Sequence, residues 1–329
     1  MCSVAKRAMV RVVLDANAFT GARLDRAADG RRRDDAWLAS QREDPRARVL
    51  LAGTAGVAIT NDRLAYVPFA RTASSLEPPV LLGVDRDGPL FAIDEGPPIP
   101  EATRPPLIGW QGRLGDAGAV TEGRIGLREA VAALAQDEGG VVAYTAGLLN
   151  WHRRNRFCSV CGASTVPREG GYLRRCDRCG TDHHPRLDPV VIMLVIDRDR
   201  VLLGRHHSWS PRRYSALAGF VAQGESLEEA VAREVAEEAG VEVGHPDYVA
   251  SQPWPFPSSL MLGFTVPWIS GEPPGTDPEL EDVRWFTREE LMPATAQEDS
   301  WDGTPAADAE LLLPPRLAIA RRLIEHWMG

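Results

Sequence analysis

Two hydrophobic patterns divide the chain. Up to about residue 125 the apolar positions form short alternating or continuous runs separated by Gly, Pro and Asp, which is typical of strands and turns. From Gly126 to Phe157 the apolar residues recur at helical spacing instead. The pattern predicts a mainly β, mixed β/α N-terminal domain over residues 1–150. Its strand candidates are Met9–Leu14, Arg48–Leu51, Val80–Val84 and Pro89–Ile93.

Residues 185–329 predict a mixed α/β domain. The longest apolar run, Val190–Ile196, predicts a buried strand that forms a hairpin with Val201–Gly204. The other elements expected here are strands at Tyr214–Ala218, Tyr248–Ala250 and Val283–Phe286 and a closing helix over Arg316–Met328. Alternating strands and helices of this kind predict a mixed sheet with helices on its faces.

A helix is predicted over Leu227–Ala239. Ser226 and Glu229 have the spacing of a capping box, and Gly240 suits the position just past the helix. The residues that share its apolar face are Leu227, Ala230, Val231, Val235 and Ala239. We expect that face to pack on the sheet, with Gly219 as the turn that leads into the helix.

The same helix carries a cluster of acidic residues. Glu234, Glu237 and Glu238 stand at i, i+3 and i+4, so three carboxylates occupy neighbouring surface positions. Like charges at this spacing destabilise an isolated helix by roughly a few tenths of a kcal/mol per pair, so a partner of opposite charge is expected. Hard oxygen ligands favour Mg²⁺ or Mn²⁺. The alternative is a solvated acidic face on which Arg233 pairs with Glu237.

Four of the five cysteines predict a zinc ribbon over residues 151–184. They form two Cys-x-x-Cys pairs with fourteen residues between the pairs: Cys158, Cys161, Cys176 and Cys179. Four thiolates can bind one Zn²⁺ tetrahedrally and leave no position for water, so we expect a structural ion. The alternative is a nucleic-acid-binding ribbon, since Arg153, Arg154, Arg156, Arg168, Arg174, Arg175 and Arg178 lie nearby. His183 and His184 are expected to be a surface pair that caps the ribbon.

The composition and net charge of the chain limit the classes of partner that it is expected to bind. The 329 residues are 44% hydrophobic and carry a formal net charge of −9. No overall basic field therefore attracts nucleic acid or an anionic membrane, and a polyanionic substrate must be bound locally. The longest apolar run is far shorter than the roughly 20 residues that span a bilayer. Arg11 and Asp15 interrupt the segment where a signal peptide needs its apolar core. We therefore expect a cytoplasmic protein without membrane contact.

A short segment beyond the acidic helix alternates proline with aromatic residues. Ser251–Ser259 has the sequence SQPWPFPSS. Each proline removes a ladder donor, so the segment is not expected to continue a central strand. It can be a plug at the edge of the sheet. Alternatively, its rigid rings can stack on a flat base beside a phosphate site.

The acidic helix and its flanks resemble a known signature. Gly219, five residues, Glu225, seven residues and then REVAEEAGV from Arg233 match, without departure, the signature box of the Nudix hydrolases. The resemblance implies an α/β (α+β) fold, a mixed-sheet α/β/α sandwich, and hydrolysis of a nucleoside diphosphate linked to another group with Mg²⁺ or Mn²⁺. The four-cysteine ribbon and SQPWPFPSS are similar to the NADH pyrophosphatase branch. That branch implies a Nudix-like N-terminal domain and a homodimer.

The resemblance also implies roles for single residues. Those implied to bind catalytic metal are Glu234, Glu238, Glu279 and, through its carbonyl, Ala218. Arg233 and Glu237 complete the implied catalytic set. Those implied to contact substrate are Gln252, Pro253, Trp254, Pro255, Phe256, Pro257, Ser258, Ser259, Ala320, Phe220 and His184. His184 stands where the family has a tyrosine, so stacking on an imidazole would replace a phenol contact.

Several functions are compatible with these features. The leading hypothesis is hydrolysis of NADH or NAD to nicotinamide mononucleotide and AMP by attack of water on the pyrophosphate bridge. A second is removal of the NAD cap from RNA 5′ ends by the same chemistry. Hydrolysis of another nucleoside diphosphate, such as ADP-ribose, is a further alternative. A regulator that senses a nucleotide without turnover is disfavoured by the intact signature.

Overall fold

The computed structural model describes residues 17–27, 30–53, 56–72, 78–96, 123–209, 211–273, 279–296 and 311–329. The predicted strand at Met9–Leu14 lies outside the described residues. Within the described part, the chain forms a first sheet with helices, a small ribbon, and a second sheet with helices. The division into an N-terminal domain, a zinc ribbon and a mixed α/β domain stays a prediction.

The first sheet is mixed. Its described strands are β1 (Arg48–Gly53), β2 (Gly56–Thr60), β3 (Arg63–Leu64), β4 (Val67–Pro68), β5 (Val80–Asp85), β6 (Gly88–Asp94) and β7 (Arg124–Ile125). Strands β1 and β6 are parallel, with β2 and β5 antiparallel on either side. The described helices of this region are α1 (Asp35–Glu43), α2 (Leu127–Ala133) and α3 (Gln136–Arg154). Since α3 runs through residue 150, the boundary predicted there falls inside a helix.

The ribbon follows α3 directly. Its strands are β8 (Thr165–Arg168), β9 (Leu173–Cys176) and β10 (Asp182–His183), and each pairs antiparallel with its neighbour. The first Cys-x-x-Cys pair precedes β8, and the second spans the turn between β9 and β10. The hairpin therefore brings the two pairs to the same end of the ribbon.

The second sheet is also mixed. Its described strands are β11 (Asp188–Asp197), β12 (Arg200–His206), β13 (Leu217–Phe220), β14 (Glu242–Val243), β15 (Asp247–Trp254), β16 (Ser259–Ser270) and β17 (Leu280–Thr287). The described helices here are α4 (Leu227–Ala239), α5 (Arg288–Thr295) and α6 (Ile319–Met328). Strands β11 and β16 are parallel, while β12, β13 and β15 pair antiparallel with them.

Strand β11 explains the layering. Alternate residues of a strand point to opposite faces of the sheet. On one face, Ile192 and Leu194 pack in the core that includes residues of α5 and α6. On the other face, Val191 and Met193 pack in the core that includes residues of α4. Burial on both faces is why the run is continuously apolar, and it confirms the α/β/α arrangement.

Several element boundaries differ from the predictions. The strand expected at Tyr214–Ala218 is Leu217–Phe220, and the closing helix begins at Ile319, three residues after the predicted Arg316. Gly219 lies in β13, paired with Val191, so the prediction of a turn there is wrong; the chain turns at Gly224, whose φ is +87°. Strand β15 continues beyond the predicted end at Ala250, through Pro253 to Trp254. It pairs with β16 at the edge of the sheet, and an edge strand tolerates proline.

Candidate active site

Helix α4 begins and ends as its sequence predicts. The Glu229 N–H donates to Ser226 Oγ (3.2 Å), and the Ser226 N–H donates to the Glu229 carboxylate (2.8 Å), which confirms the capping box. Gly240 ends the helix in the left-handed conformation, with φ +63°. Val231 and Val235 are fully buried against the second sheet. Caps and apolar face together fix the direction in which the acidic side chains point.

The carboxylate of Glu234 occupies the space in front of Gly219. A Cβ built on Gly219 would lie 1.9 Å from Glu234 Cδ and 2.0 and 2.1 Å from the two carboxylate oxygens. Glycine is therefore required here for a close approach, although its backbone is ordinary strand. Ala218, the residue before it, pairs with Ile192 of β11. The structure thus brings the implied metal ligand Glu234 to the strand that carries the implied carbonyl ligand.

Arg233 connects the acidic residues of the signature. Its guanidinium donates to both oxygens of Glu225 (2.5 and 2.9 Å). It also donates to Glu234 (2.8 Å), to Glu237 (2.8 Å) and to the carbonyl of Phe220 (2.9 Å). The sequence interpretation gave Glu225 no role of its own, although it is a fixed position of the signature. The structure makes it the bidentate partner that orients Arg233.

These contacts shift the pKa values of the cluster. Hydrogen bonding to Arg233 lowers the pKa of Glu225 to about 2. The same pairing, led by Glu225, raises the pKa of Arg233 above its usual range. Burial raises the pKa of Glu234, and the charges of Glu237 and Glu279 add to the effect against the opposing influence of Arg233. The fold alone therefore disfavours the negative charge of Glu234, despite its hydrogen bond from Arg233.

The donor set fits a divalent cation. Glu234 is partly desolvated and experiences the charges of Glu237 and Glu279, and Glu238, one turn further along α4, is only 8% exposed. Glu279 is exposed, yet its charge acts on Glu234. Among the described residues, the four cysteines are the only group of three or more potential ligands whose ligand atoms all lie within 4.8 Å of one another, so these glutamate oxygens are spread more widely. A cation with hard oxygen preference would relieve the charge concentrated at Glu234.

The four cysteines converge as a tetrahedral zinc site requires. Cys158 Sγ lies 3.6 Å from Cys179 Sγ, and Cys161 Sγ lies 3.5 Å from Cys176 Sγ. Zn–S bonds of about 2.3 Å in a tetrahedron place sulfur atoms about 3.8 Å apart, close to these distances. The predicted four-thiolate ligand set is therefore assembled by the fold. Since protein fills all four positions, the site has a structural character.

The two histidines after the ribbon are not equivalent. His183 Nε2 lies 3.3 Å from Cys158 Sγ, so the ring can donate a hydrogen bond to a metal-bound thiolate. This contact agrees with the prediction of a capping role for His183. His184 is exposed, and its assignment to the substrate stays a prediction.

The proline-aromatic segment forms the hairpin between β15 and β16. Trp254 pairs with Ser259 across it, and residues 255–258 make the turn. The rings of Trp254 and Phe256 are partly exposed, with centroids 5.9 Å apart in an edge-to-face arrangement. Both also contact Phe19 of the N-terminal region, at 5.3 and 5.7 Å. No local sequence signal indicated Phe19, because it is more than 200 residues away along the chain.

The remaining implied substrate residues differ in accessibility. Gln252 is 1% exposed, and its amide donates to the carbonyls of Ala18 (3.2 Å) and Leu317 (2.7 Å) while accepting from the Ile319 N–H (2.8 Å). Its side chain therefore joins β15 to α6 and to the N-terminal region. Ser258 Oγ donates to Asp188 (2.5 Å). The other buried members are Pro255, Ser259 and Ala320.

More accessible positions lie beside the signature. Phe220 ends β13 next to Gly219 and is 43% exposed, so its ring is available to a ligand. Pro253 is partly exposed, and Pro257 is exposed at the tip of the hairpin. The substrate roles of all these residues stay predictions. The structure places Phe220 at the carboxylate cluster and the aromatic hairpin on the edge strand of the same sheet.

Two family models match the chain. A model described as the NUDIX domain matches residues 186–307, and one described as the NADH pyrophosphatase zinc ribbon domain matches residues 153–183. The first covers the second sheet and α4, and the second covers the four cysteines. Both matches lie C-terminal to the first sheet.

Curated proteins resemble the same part of the chain. The NAD-capped RNA hydrolase NUDT12 of Homo sapiens is 44% identical over 205 residues, which cover 59% of this chain and 43% of the human protein. The NAD-capped RNA hydrolase NudC of Mycobacterium bovis is 44% identical over 192 residues, 57% of this chain and 59% of that protein. The protein of the same name from Stutzerimonas stutzeri is 41% identical over 204 residues, 62% of this chain and 67% of that protein. The chain thus spans less than two thirds of the first two relatives.

Proposed function

We propose, because this chain belongs to the Nudix hydrolase family and to its NADH pyrophosphatase branch, that it hydrolyses the pyrophosphate bond of NADH or NAD to nicotinamide mononucleotide and AMP. The observation that carries the proposal is the seating of Glu234 against Gly219 within an intact signature. One water molecule is consumed, and each product leaves with one of the two phosphates of the bridge.

Glu234, Glu238 and Glu279, with the Ala218 carbonyl, would hold Mg²⁺ or Mn²⁺. Bound there, the cation would offset the charge of the pyrophosphate and lower the pKa of an attacking water. The chain's own task is to keep these carboxylates ionised and oriented. Arg233 contributes by fixing Glu234 and Glu237 through two 2.8 Å hydrogen bonds while Glu225 holds the guanidinium in place.

Selection of a dinucleotide is assigned to the segment 252–259 together with Phe220. Aromatic rings provide a large stacking surface at low entropic cost, because they have only two side-chain torsions. Trp254, Phe256 and Phe220 all keep part of their surface exposed. Rings on the same sheet as the carboxylate cluster suit a substrate with a flat base at each end of a pyrophosphate.

A substrate panel tests the proposal. NADH, NAD, ADP-ribose and NAD-capped RNA are each incubated with Mn²⁺ or Mg²⁺, and the products are identified by chromatography and mass. We expect equal amounts of AMP and nicotinamide mononucleotide, the latter in its reduced form from NADH and its oxidised form from NAD, and loss of both products in the Glu238→Gln variant. Efficient turnover of ADP-ribose without turnover of any NAD-containing substrate would reject the proposal in favour of another nucleoside diphosphate.

The second candidate function is removal of an NAD cap from RNA. It is favoured by the relatives, whose names describe NAD-capped RNA hydrolases. The arginines of the zinc ribbon support this second function less than the relatives do, because three of them are paired with aspartate or buried. Arg175 is paired with Asp182 through contacts of 2.6 and 2.7 Å, Arg168 lies 3.5 Å from Asp177, and Arg174 is buried beneath the surface.

Salt dependence separates the two candidates. An RNA chain bound along the ribbon would release counterions, so its cleavage would fall steeply with salt. Cleavage of free NADH would change far less. Parallel salt curves for the two substrates would leave the ribbon without a role in binding RNA.

We also propose that the protein is cytoplasmic and that it forms the homodimer implied by its resemblance to the NADH pyrophosphatase branch. The four cysteines of the described chain are free thiols assembled as metal ligands, which suits a reducing compartment. None of the helices in the described part of the chain combines the length and apolarity that crossing a bilayer requires. Sedimentation equilibrium of the purified protein tests the dimer, and a single species of monomer mass would reject it.

A further inference from the structure

We propose that the N-terminal domain positions the substrate-recognition segment, and that Phe19 is the positioning residue through which it does so. The domain otherwise has no assigned part in the reaction. The inference rests on the proposed function, because it takes SQPWPFPSS to contact the dinucleotide. It concerns residues 17–22, which we call the N-terminal strap.

The strap is anchored to the second sheet. The Asn17 side-chain amide donates to the Ser251 carbonyl (2.5 Å) and accepts from Arg322 of α6 (2.8 Å). The amide of Gln252 donates to the Ala18 carbonyl (3.2 Å). Ser251 and Gln252 are the first two residues of SQPWPFPSS. The strap therefore binds the recognition segment by side chains and backbone at its starting point.

The other side of the strap lies on the N-terminal domain. A Cβ built on Gly140 of α3 would lie 2.6 Å from both the Thr20 carbonyl oxygen and the Ala22 nitrogen. This close backbone approach requires glycine at that point of α3. Helix α3 also supports the hairpin itself, since Asn150 Nδ2 donates to the Pro257 carbonyl (3.1 Å). The strap thus lies between α3 and the edge strand β15.

Phe19 sits at the centre of this contact. It is 3% exposed and has φ +69°, a left-handed conformation that is rare for a bulky residue. Such a conformation persists where the surroundings over-determine it. Here its ring lies edge-to-face with Trp254 and with Phe256, while those two rings are also edge-to-face with each other. Three mutually tilted rings form one cluster, of which only Phe19 comes from the N-terminal region.

This arrangement predicts an effect on binding more than on chemistry. Trp254 packs against the core of the second sheet and that of the first, whereas Phe256 packs only against the first. Without the Phe19 ring, both side chains gain rotational freedom that must be lost again when a dinucleotide binds. The strap is anchored to α6, whose core lies on the face of the second sheet opposite the core of α4, so turnover of bound substrate should change little. We expect KM for NADH to rise about 5- to 50-fold in Phe19→Ala with kcat within about threefold of wild type.

The test compares Phe19→Ala and the milder Phe19→Leu with a matched control, Phe91→Leu. Phe91 is 1% exposed in the same domain but packs in a separate cluster with Leu38 and Val49. For each full-length variant, KM and kcat for NADH, the Mn²⁺ concentration for half-maximal rate and the melting temperature are measured. NADH affinity is also measured by its fluorescence in a Glu238→Gln background, where chemistry is suppressed.

The expected result is a raised KM and a matching loss of NADH affinity in both Phe19 variants, larger for Ala than for Leu, with unchanged Mn²⁺ dependence. The Phe91→Leu control should keep wild-type KM even if it melts at a lower temperature. Equal KM values in Phe19→Leu and Phe91→Leu, or Phe19 variants that fail to fold while the control folds, would overturn the inference. A wild-type protein that cleaves neither NADH nor NAD would instead reject the proposed function.

Discussion

The close approach of Glu234 to Gly219 makes one substitution especially informative. Gly219→Ala adds a single methyl group, which would lie 1.9 to 2.1 Å from the atoms of the Glu234 carboxylate. That is well inside van der Waals contact, so one of the two must move. The strand is held by its pairing with β11, whereas the carboxylate is the far end of a flexible side chain. We therefore expect Glu234 to be displaced while the strand stays in place.

The magnitudes follow from this geometry. Loss of one group that stabilises charge in a transition state costs about 10²- to 10³-fold in kcat, or about 3 to 4 kcal/mol. Stability should change by less than about 1 kcal/mol, because replacing glycine in a strand gains chain entropy that offsets the displaced side chain. The variant should therefore be folded, with a melting temperature near that of wild type, and nearly inactive on NADH.

A double-mutant cycle and a glycine control make the test specific. In a Glu234→Gln background, Gly219→Ala should cost little further activity, since the group it displaces is already neutral. Gly139→Ala in α3, whose added methyl would have its nearest neighbour 3.5 Å away, should keep wild-type activity. Gly219→Ala activity within about threefold of wild type, or losses that simply add in the double variant, would refute the reasoning.

Three further predictions address other parts of the molecule. Glu238→Gln should lower NADH turnover by orders of magnitude with nearly unchanged folding, because a charged ligand is lost, and activity within a few-fold of wild type would disprove the metal assignment. Cys176→Ser should reduce soluble yield and melting temperature more than the rate constant of the folded fraction, since structural zinc is worth on the order of 10 kcal/mol in small ribbons; a folded, zinc-free, inactive protein would make the zinc catalytic instead. Burial, reinforced by Arg174, lowers the pKa of His152 to about 4 from 6.5, so its contribution to stability is present above pH 6.5 and lost as the pH falls toward 4. The unfolding free energy of wild type should therefore drop by about 2 kcal/mol more than that of His152→Gln between pH 7 and 5, and parallel pH curves from denaturant titrations would contradict this.

The local sequence pattern predicted those elements whose determining contacts are the same along the element or lie within a few residues of it. The run Val190–Ile196 is apolar throughout because β11 is covered on both faces, and the caps of α4 are side chains next to the backbone groups they satisfy. Both signals are contained within a few residues. The prediction of a turn at Gly219 was wrong because the reason for glycine there is not local. A glycine in this sequence context is typical of a turn, but the structure requires glycine because the carboxylate of Glu234, fifteen positions later, occupies the place of a side chain.

Long-range contacts had no sequence signal. Arg32 is 3% exposed, donates to the carbonyls of Leu81 and Leu82, and lies 3.7 Å from the centre of the Tyr172 ring. An arginine within an Arg-rich stretch gives no local indication of such burial. The zinc ligands were predictable because two Cys-x-x-Cys pairs at this spacing are typical of a zinc site. The acidic cluster of α4 was predictable because its spacing on one helix is part of the signature, while the catalytic roles of its residues stay predictions.

The two sheets show why fold alone does not assign function. Each has a parallel pair, β1 with β6 and β11 with β16, flanked by antiparallel strands. In the part of the chain that the structure describes, the helix with the acidic signature covers the second sheet and no such helix covers the first. The first instead meets, through α3 and residues 17–22, the hairpin that is proposed to select the substrate. According to our proposal, this first sheet, whose described residues carry no acidic signature, affects the reaction by fixing the rings that a ligand must contact. Because this role depends on rigid packing of Phe19 on the hairpin, removing the Phe19 ring should weaken substrate affinity. The turnover that depends on the carboxylates of α4 should continue.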